Sequence, residues 1–183
     1  SDSISLDRKQ KDMRSRQCQE RHKTYPRELP SASIIVVFHN ENWSVLLRTL
    51  HSILNHSPPH LVSQLIVLDD ASLPTDRFDQ KHFEALQKPL ETYCRQLPKT
   101  QLVRLKERRG LMVARMEGVW RATGDVVVFL DSHVEATPGW LEPLLARIRE
   151  DPTRVVLPKV DSIDAETFKY SSSTAEGIGV LGF

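Results

Sequence analysis

The chain has 183 residues, with 25 lysines and arginines against 24 aspartates and glutamates, so its formal net charge is only +1. That balance argues against a general nucleic-acid binder, which would carry a strong basic excess. No run of about 18 apolar residues is present to span a bilayer, and no signal-peptide pattern is seen. The length suffices for one domain with a real core and an extra segment. Two cysteines, Cys18 and Cys94, have neither Cys-x-x-Cys nor zinc-ligand spacing and make no disulfide framework. They read as two buried thiols, as one disulfide, or as partners of cysteines elsewhere.

Residues 1–30 are polar, carry Arg8, Lys9, Lys11, Arg14 and Arg16, show no clear period, and read as a leader draped over the surface. Pro26 and Pro30 favour an extended entry into the domain that follows, 31–183. Residues 33–38 are β-branched or aromatic and predict a first strand. A helix is expected from about Trp43 to Asn55, with Leu46, Leu50, Ile53 and Leu54 as its stripe, Asn40 or Asn42 as its cap, and Pro58 and Pro59 enforcing its end. Gln64 to Leu68 predicts a second strand, with Asp69 and Asp70 directly after it. A long helix from Asp76 to Arg95 should kink or break at Pro89, which lacks the donor a helix interior needs. Gln101 to Leu105 is a third strand, followed by the charged loop 106–110.

The helix expected over 111–122 carries Ala114, Gly118 and Ala122 on one face, so it should approach the sheet closely and stop at a left-handed Gly124. Residues 126–130 are five apolar residues in a row, the pattern of a strand buried on both faces. Thr137 and Pro138 predict a cap and first helical position for a helix over 139–149. Thr153 to Leu157 reads as a fifth strand, and the tail from Tyr170 to Phe183 is Ser- and Gly-rich. Strands alternating with helices give an α/β fold, a mostly parallel sheet flanked by helices.

In such sheets ligands bind outside the carboxyl ends of the strands. Those ends hold His39 to Glu41, Asp69 with Asp70, Arg108 with Arg109, and Asp131 with Ser132 and His133. Asp131 and His133 fall on one side if the strand geometry continues, because side chains alternate. An oxygen and a nitrogen ligand side by side suit a divalent metal. The plainer readings are an aspartate capping a turn and an ordinary half-buried imidazole. Asp69 and Asp70 point to opposite faces if extended, so they form no coupled pair. Carboxylates, a metal site and arginines at one crevice suit a nucleotide or sugar nucleotide, with the metal bridging phosphoryl oxygens and arginine adding contacts to phosphate. The first strand is not followed by Gly-x-Gly-x-x-Gly, and P-loop and Gly-x-Ser-x-Gly motifs are absent.

Five separated stretches resemble, in the right order, the polypeptide N-acetylgalactosaminyltransferases. They are Phe38-His39-Asn40-Glu41, Leu68 to Ser72, Arg108-x-Gly110-Leu111-Met112-x-Ala114-Arg115, Phe129-Leu130-Asp131-Ser132-His133-x-Glu135, and Gly139 to Leu145. The resemblance covers roughly 14–170. It implies the nucleotide-binding, Rossmann-like half of a glycosyltransferase A-type domain. The implied activity is transfer of N-acetylgalactosamine from UDP-GalNAc to Ser or Thr hydroxyls of polypeptides, with retention and with Mn2+. It also implies a type II membrane protein of the Golgi lumen, with a lectin domain after the catalytic one.

Carried over residue by residue, the resemblance makes Asp131 and His133 manganese ligands and places Ser132 among the donor contacts. Val37, Phe38, His39 and Asp70 fall at the uridine pocket, Arg108 is a donor-site arginine acting with Asp131 in catalysis, and the stretch from Trp140 to Leu145 is packing. Cys18 matches a cysteine whose disulfide partner lies later in the family's domain, as does the third metal ligand. The implied mechanism is same-face attack by the acceptor hydroxyl, with the departing phosphate as proton acceptor. The pattern departs at Arg109, where the family has Glu, at Val134, where it has Cys, and at Gly177 to Phe183, where it continues Gly-Gly-Phe-Asp-Trp. These departures motivate one alternative, a catalytically inactive homologue acting as a binding or regulatory protein. A nucleotidyltransferase, which shares the cleft and metal logic, is another.

Overall fold

The apolar runs become strands. In the computed structural model, which describes residues 2–172, the chain order is α1 (Arg16–His22), β1 (Ala32–Phe38), α2 (Trp43–His56), β2 (Val62–Asp69), α3 (Gln80–Ala85), α4 (Lys88–Cys94), β3 (Thr100–Arg104), α5 (Leu111–Val119), β4 (Val126–Asp131), α6 (Leu141–Glu150), β5 (Ser162–Ile163) and β6 (Tyr170–Ser171). The first four strands form one sheet in the order β3-β2-β1-β4, parallel throughout. The short pair β5 and β6 is antiparallel. Helices pack on both faces, the α/β architecture expected.

Strand order reverses at β1, with β2 on one side and β4 on the other. A crevice opens at such a switch point, outside the carboxyl ends of the strands. Register sets which residues reach it: Val37 stands opposite Asp131 on β4 and Leu68 on β2.

Alternation divides β1 between two faces. Ala32, Ile34, Val36 and Phe38 join Leu65 and Val67 in a core closed by Leu46, Leu50 and Ile53 of α2, Leu90 of α4, and Leu141 and Leu145 of α6. Each such side chain, fully buried, contributes about 1.5–3 kcal/mol. On the other face α5 lies directly on β1. A Cβ at Gly118 would stand 2.6 Å from Cγ2 of Ile35, so the small residues do allow the close approach read from the sequence. Asn42 caps α2, its Oδ1 accepting from the Ser44 amide at 3.0 Å.

Several expectations are corrected. The leader contains α1, and it is tied to the domain rather than draped over it. The long helix over 76–95 is two helices, broken at Leu86 and Gln87. Pro89 sits in the first turn of α4, where its missing N–H leaves nothing unpaired. Gly124 is not left-handed. Its constraint is space, since a Cβ there would come within 2.6 Å of the Ser33 amide nitrogen. The last helix starts at Leu141, after Trp140, and Thr137 does not cap it.

No strand forms over 153–157, where Val155 and Leu157 are exposed. Apolar character alone does not make a strand without a neighbour to complete its hydrogen bonds. Cys94 is buried and Cys18 exposed, both as free thiols, and burial pushes the Cys94 thiol up to about 11. The tail reading, with its departure at Gly177 to Phe183, lies outside the described residues.

Candidate functional site

At the ends of β1 and β2 the loops are laced to each other by backbone geometry the sequence permits. Asn40 and Ala71 both adopt φ of 54°. The Asn40 amide donates to the Ser72 hydroxyl oxygen at 2.9 Å, and Asn40 Oδ1 accepts from the Leu73 amide at 2.9 Å. His39 Nδ1 lies 2.9 Å from the Asp70 carbonyl oxygen.

The two aspartates after β2 are both almost fully buried and both internally engaged. Asp69 pairs with Arg104 at 2.5 Å and accepts from the Ser72 amide at 2.8 Å. Asp70 is 3% exposed, and its carboxylate accepts from the amides of Arg109 at 2.7 Å and Gly110 at 2.8 Å. Gly110, at φ 82°, is the residue that opens α5. A carboxylate here satisfies orphan amides at a helix start and complements its dipole. Asp70 therefore fixes the loop that presents Arg108. Arg108 itself is exposed and makes no hydrogen bond or ion pair with the described residues.

The loop after β4 is held from the α2 side. Thr49, Ser52 and His56 recur at helical spacing and meet it in turn. Thr49 Oγ1 donates to the Ser132 carbonyl at 2.8 Å and accepts from the Val134 amide at 3.1 Å. Ser52 Oγ accepts from the Ala136 amide at 2.9 Å, and His56 Nδ1 stands 2.7 Å from the Ala136 carbonyl oxygen. These contacts explain why α2 buries polar residues among its leucines, since buried polar groups require partners. Arg48 is buried there too, and burial pushes its guanidinium below the usual arginine range against the pull of Glu135.

On the crevice side the same loop presents Asp131 and His133, with side chains 55% and 64% exposed. Glu41 joins the two strand ends: its Oε2 accepts from the Ser132 hydroxyl at 2.7 Å and lies 3.1 Å from His133 Nδ1. A ligating histidine commonly gives its second ring nitrogen to a carboxylate, which fixes tautomer and orientation. Glu41 is so placed, leaving His133 Nε2 for a ligand. Arg115 of α5 reaches Asp131 at 3.5 Å and lies over the Phe129 ring, 5.6 Å from its centroid.

The predicted residues thus divide. Val37, Asp131 and His133 meet at one crevice, and His39 lies at its edge. Phe38 puts its side chain into the core, and Ser132 is 5% exposed with its hydroxyl committed to Glu41. Glu41 and Arg115 stood out in the sequence only as motif residues without a role, Glu41 also as a polar strand end, and Thr49 and Ser52 did not stand out at all. The available signal was polar residues at positions 49, 52 and 56 on an otherwise apolar helix face. Trp140, Leu141 and Leu145 are packing, as read.

A cavity of about 310 Å³ opens beside this crevice, lined by Glu41, His133, Val134, Ile163 and Phe168 among others. A larger hollow of about 490 Å³ beside Trp43 and Tyr93 has no acidic side chain or histidine in its lining. Among the described residues no group of three or more His, Cys, Asp and Glu side chains is placed to hold a metal. Asp131 and His133 would offer a divalent ion an oxygen and a nitrogen ligand at most. The orienting Glu41 contact is the observation that favours the fit.

Comparison with known proteins places this geometry. A model for glycosyl transferase family 2 matches residues 33–180. Mouse polypeptide N-acetylgalactosaminyltransferase 10 is 46% identical over 178 residues, which is 97% of this chain and 28% of the relative. Human polypeptide N-acetylgalactosaminyltransferase 13 is 45% identical over 175 residues, 95% of this chain and 30% of the relative. A crystal structure of GalNAc-T7 with UDP, GalNAc and Mn2+ superposes with a TM-score of 0.81 at 32% identity, covering 94% of this chain and 30% of that one. The resemblance read from the motifs holds over nearly the whole chain, though the chain spans less than a third of these relatives. With the family model matched from the first strand to beyond the last, the chain belongs to glycosyl transferase family 2.

Proposed function

We propose that this chain is the donor-binding part of a retaining polypeptide N-acetylgalactosaminyltransferase, taking UDP-GalNAc together with Mn2+. The observation that carries the reading is the carboxyl end of β4, where Asp131 and a Glu41-oriented His133 face the switch-point crevice. Asp131 and His133 would hold the metal. Manganese, when bound, would offset charge on the diphosphate as a Lewis acid.

The chain's own groups have distinct tasks. Val37, in register with Asp131, forms the crevice floor beside the nucleotide, and His39 borders it. Asp70 sets the loop of Arg108, whose free guanidinium reaches the donor phosphates and stabilises charge that develops as the bond breaks. Phe38 and Ser132 act through packing and through Glu41, respectively. In the transfer, the bond from the anomeric carbon to the diphosphate oxygen breaks and a bond to the Ser or Thr hydroxyl oxygen forms on the same face. The hydroxyl proton passes to the departing diphosphate. No carboxylate of the described crevice is free in the paired arrangement that a double-displacement glycosidase uses.

Calorimetric titration of UDP with and without Mn2+ tests the assignment. Manganese-dependent binding that is lost in a folded Asp131→Ala variant is the expected result. Binding that ignores manganese, or that survives Asp131→Ala unchanged, overturns it. Release of pyrophosphate rather than UDP during turnover would mark a nucleotidyltransferase instead.

A further inference from the structure

The start of the chain reaches the loop that carries the metal ligands. Arg8 lays its guanidinium along the Glu135 carboxylate: Nε donates to Oε1 at 3.0 Å and Oε2 at 2.8 Å, and Nη2 to Oε1 at 2.7 Å. Gln10 Nε2 adds a donor to Oε2 at 2.7 Å. Arg8 Nη1 also donates to the Phe168 carbonyl at 2.8 Å, and the Arg48 guanidinium lies 5.1 Å from the centroid of the Phe168 ring. Arg48 Nε stands 3.6 Å from Glu135 Oε1. One residue before Arg8, the Asp7 carboxylate meets His51 Nδ1 at 2.7 Å and Asn55 Nδ2 at 2.9 Å on α2.

Glu135 lies two residues beyond His133, and its side chain is 7% exposed. The loop is therefore gripped on separate fronts. Thr49 and Ser52 hold its backbone against α2, and Glu41 holds the His133 ring. The remaining freedom is the side of the loop that turns toward Phe168, and there Glu135 is the loop's own side chain that Arg8 grips. Without Arg8 the buried Glu135 carboxylate would lose its short two-pronged partner and keep only Gln10 and the more distant Arg48 guanidinium, a loss that disfavours its place in the structure, so the loop would shift to rehydrate it. Glu135 and Phe168 also line the cavity beside His133, and Arg8 touches both.

We propose that residues 7–10 form a strap that positions the metal loop, with Arg8 as a positioning residue that acts through Glu135 on His133. The strap is anchored to α2 by Asp7 and delivers its fork to the loop by Arg8. The inference rests on the reading in which Asp131 and His133 hold Mn2+.

The test uses the intact protein with Mn2+ as the probe, in the presence of UDP. Free Mn2+ is followed by electron paramagnetic resonance, and melting is recorded separately in chelator. Arg8→Ala is expected to weaken Mn2+ binding about tenfold, the lower end of what loss of an outer partner costs a metal site. Arg8→Lys keeps the charge but loses the planar fork, so it should recover part of that loss. It also keeps the test open if the alanine variant does not fold. In a Glu135→Gln background, Arg8→Ala should change Mn2+ affinity less than about twofold, because the two residues act as one unit.

Mn2+ affinity unchanged in Arg8→Ala and Arg8→Lys, while His133→Ala lowers it, overturns the strap and leaves the metal assignment standing. Equal losses from Arg8→Ala in both backgrounds also overturn it, because the effect would then bypass Glu135. Unchanged affinity in His133→Ala removes the metal assignment and the strap with it.

Discussion

Consider the two sides of the loop 131–136. Toward α2, four backbone groups meet side chains: Thr49 serves both Ser132 and Val134, and Ser52 and His56 serve Ala136. Toward the crevice, Asp131 and His133 stand largely in solvent, and Arg108, on the loop that Asp70 fixes, has no partner among the described residues. The fold spends its buried polar contacts on holding backbone and leaves each of these two side chains a single orienting contact, Arg115 for Asp131 and Glu41 for His133. That arrangement suits charge stabilisation, which depends on groups held in place before the ligand arrives.

The sharpest way to break this contrast is to cut one contact on each side. Thr49→Val removes a hydroxyl that both donates and accepts, stranding the Ser132 carbonyl and the Val134 amide. At about 1–3 kcal/mol for each buried group left unpaired, chemical denaturation should show a loss of about 2–6 kcal/mol. Asp131→Ala, in the same loop, should change stability by less than about 0.5 kcal/mol while removing metal-dependent binding. Equal stability losses from the two would contradict the division.

A smaller effect comes from the opposite face of the sheet. Gly118→Ala drives a methyl group into Ile35, and overpacking of this kind costs about 1–3 kcal/mol. Its measured denaturation midpoint should fall without a change in UDP binding, since α5 would shift along its length rather than at its amino end, where Asp70 pins it. A change in UDP affinity from Gly118→Ala would show the two faces to be coupled.

The smallest effect concerns pH. Hydrogen bonds from His51 and then Asn55 hold the Asp7 carboxyl below the usual carboxylate range. A lowered folded value means the contribution is present above the unfolded value of about 3.9 and is lost as pH falls through the folded one. Asp7 is mostly solvated, so the effect is confined to the leader. The protection of leader amides, taken as exchange relative to the intrinsic rate at each pH, should therefore fall below about pH 4 in the wild type. In Asp7→Asn that additional pH dependence should be absent.

Much of this was legible beforehand for a physical reason. Strands buried on both faces must be written in apolar residues, so Ile34 to Phe38 and Leu65 to Leu68 announce themselves; Val126 to Leu130 has the same composition but forms the sheet edge, with Phe129 41% exposed, so the expected burial on both faces is corrected there. Asp131 and His133 drew attention as candidates because they sit where an apolar strand ends. What stayed hidden depends on partners far away in sequence. Thr49 and Ser52 look like ordinary helix-surface residues until the loop at 132–136 is laid against them. Arg8 looks like one charge in a basic leader until Glu135 is seen. The run at 153–157 has the composition of a strand, but a strand also needs a neighbour, which composition does not report. Asp70 was read as a ligand contact; its geometry as a helix-start acceptor depends on the positive φ of Gly110, forty residues on.

Arg8 and Glu135 are separated by 127 positions, and that interval is also a time. During synthesis at about 5–20 residues per second, the leader emerges roughly 6–25 s before its partner does. For that period Arg8 and Gln10 have no native acceptor, while β1, α2 and β2 already exist and can pair. The leader would then dock late, onto a sheet largely assembled, and the metal loop would reach its final shape only when the first and the last of its contacts are both present.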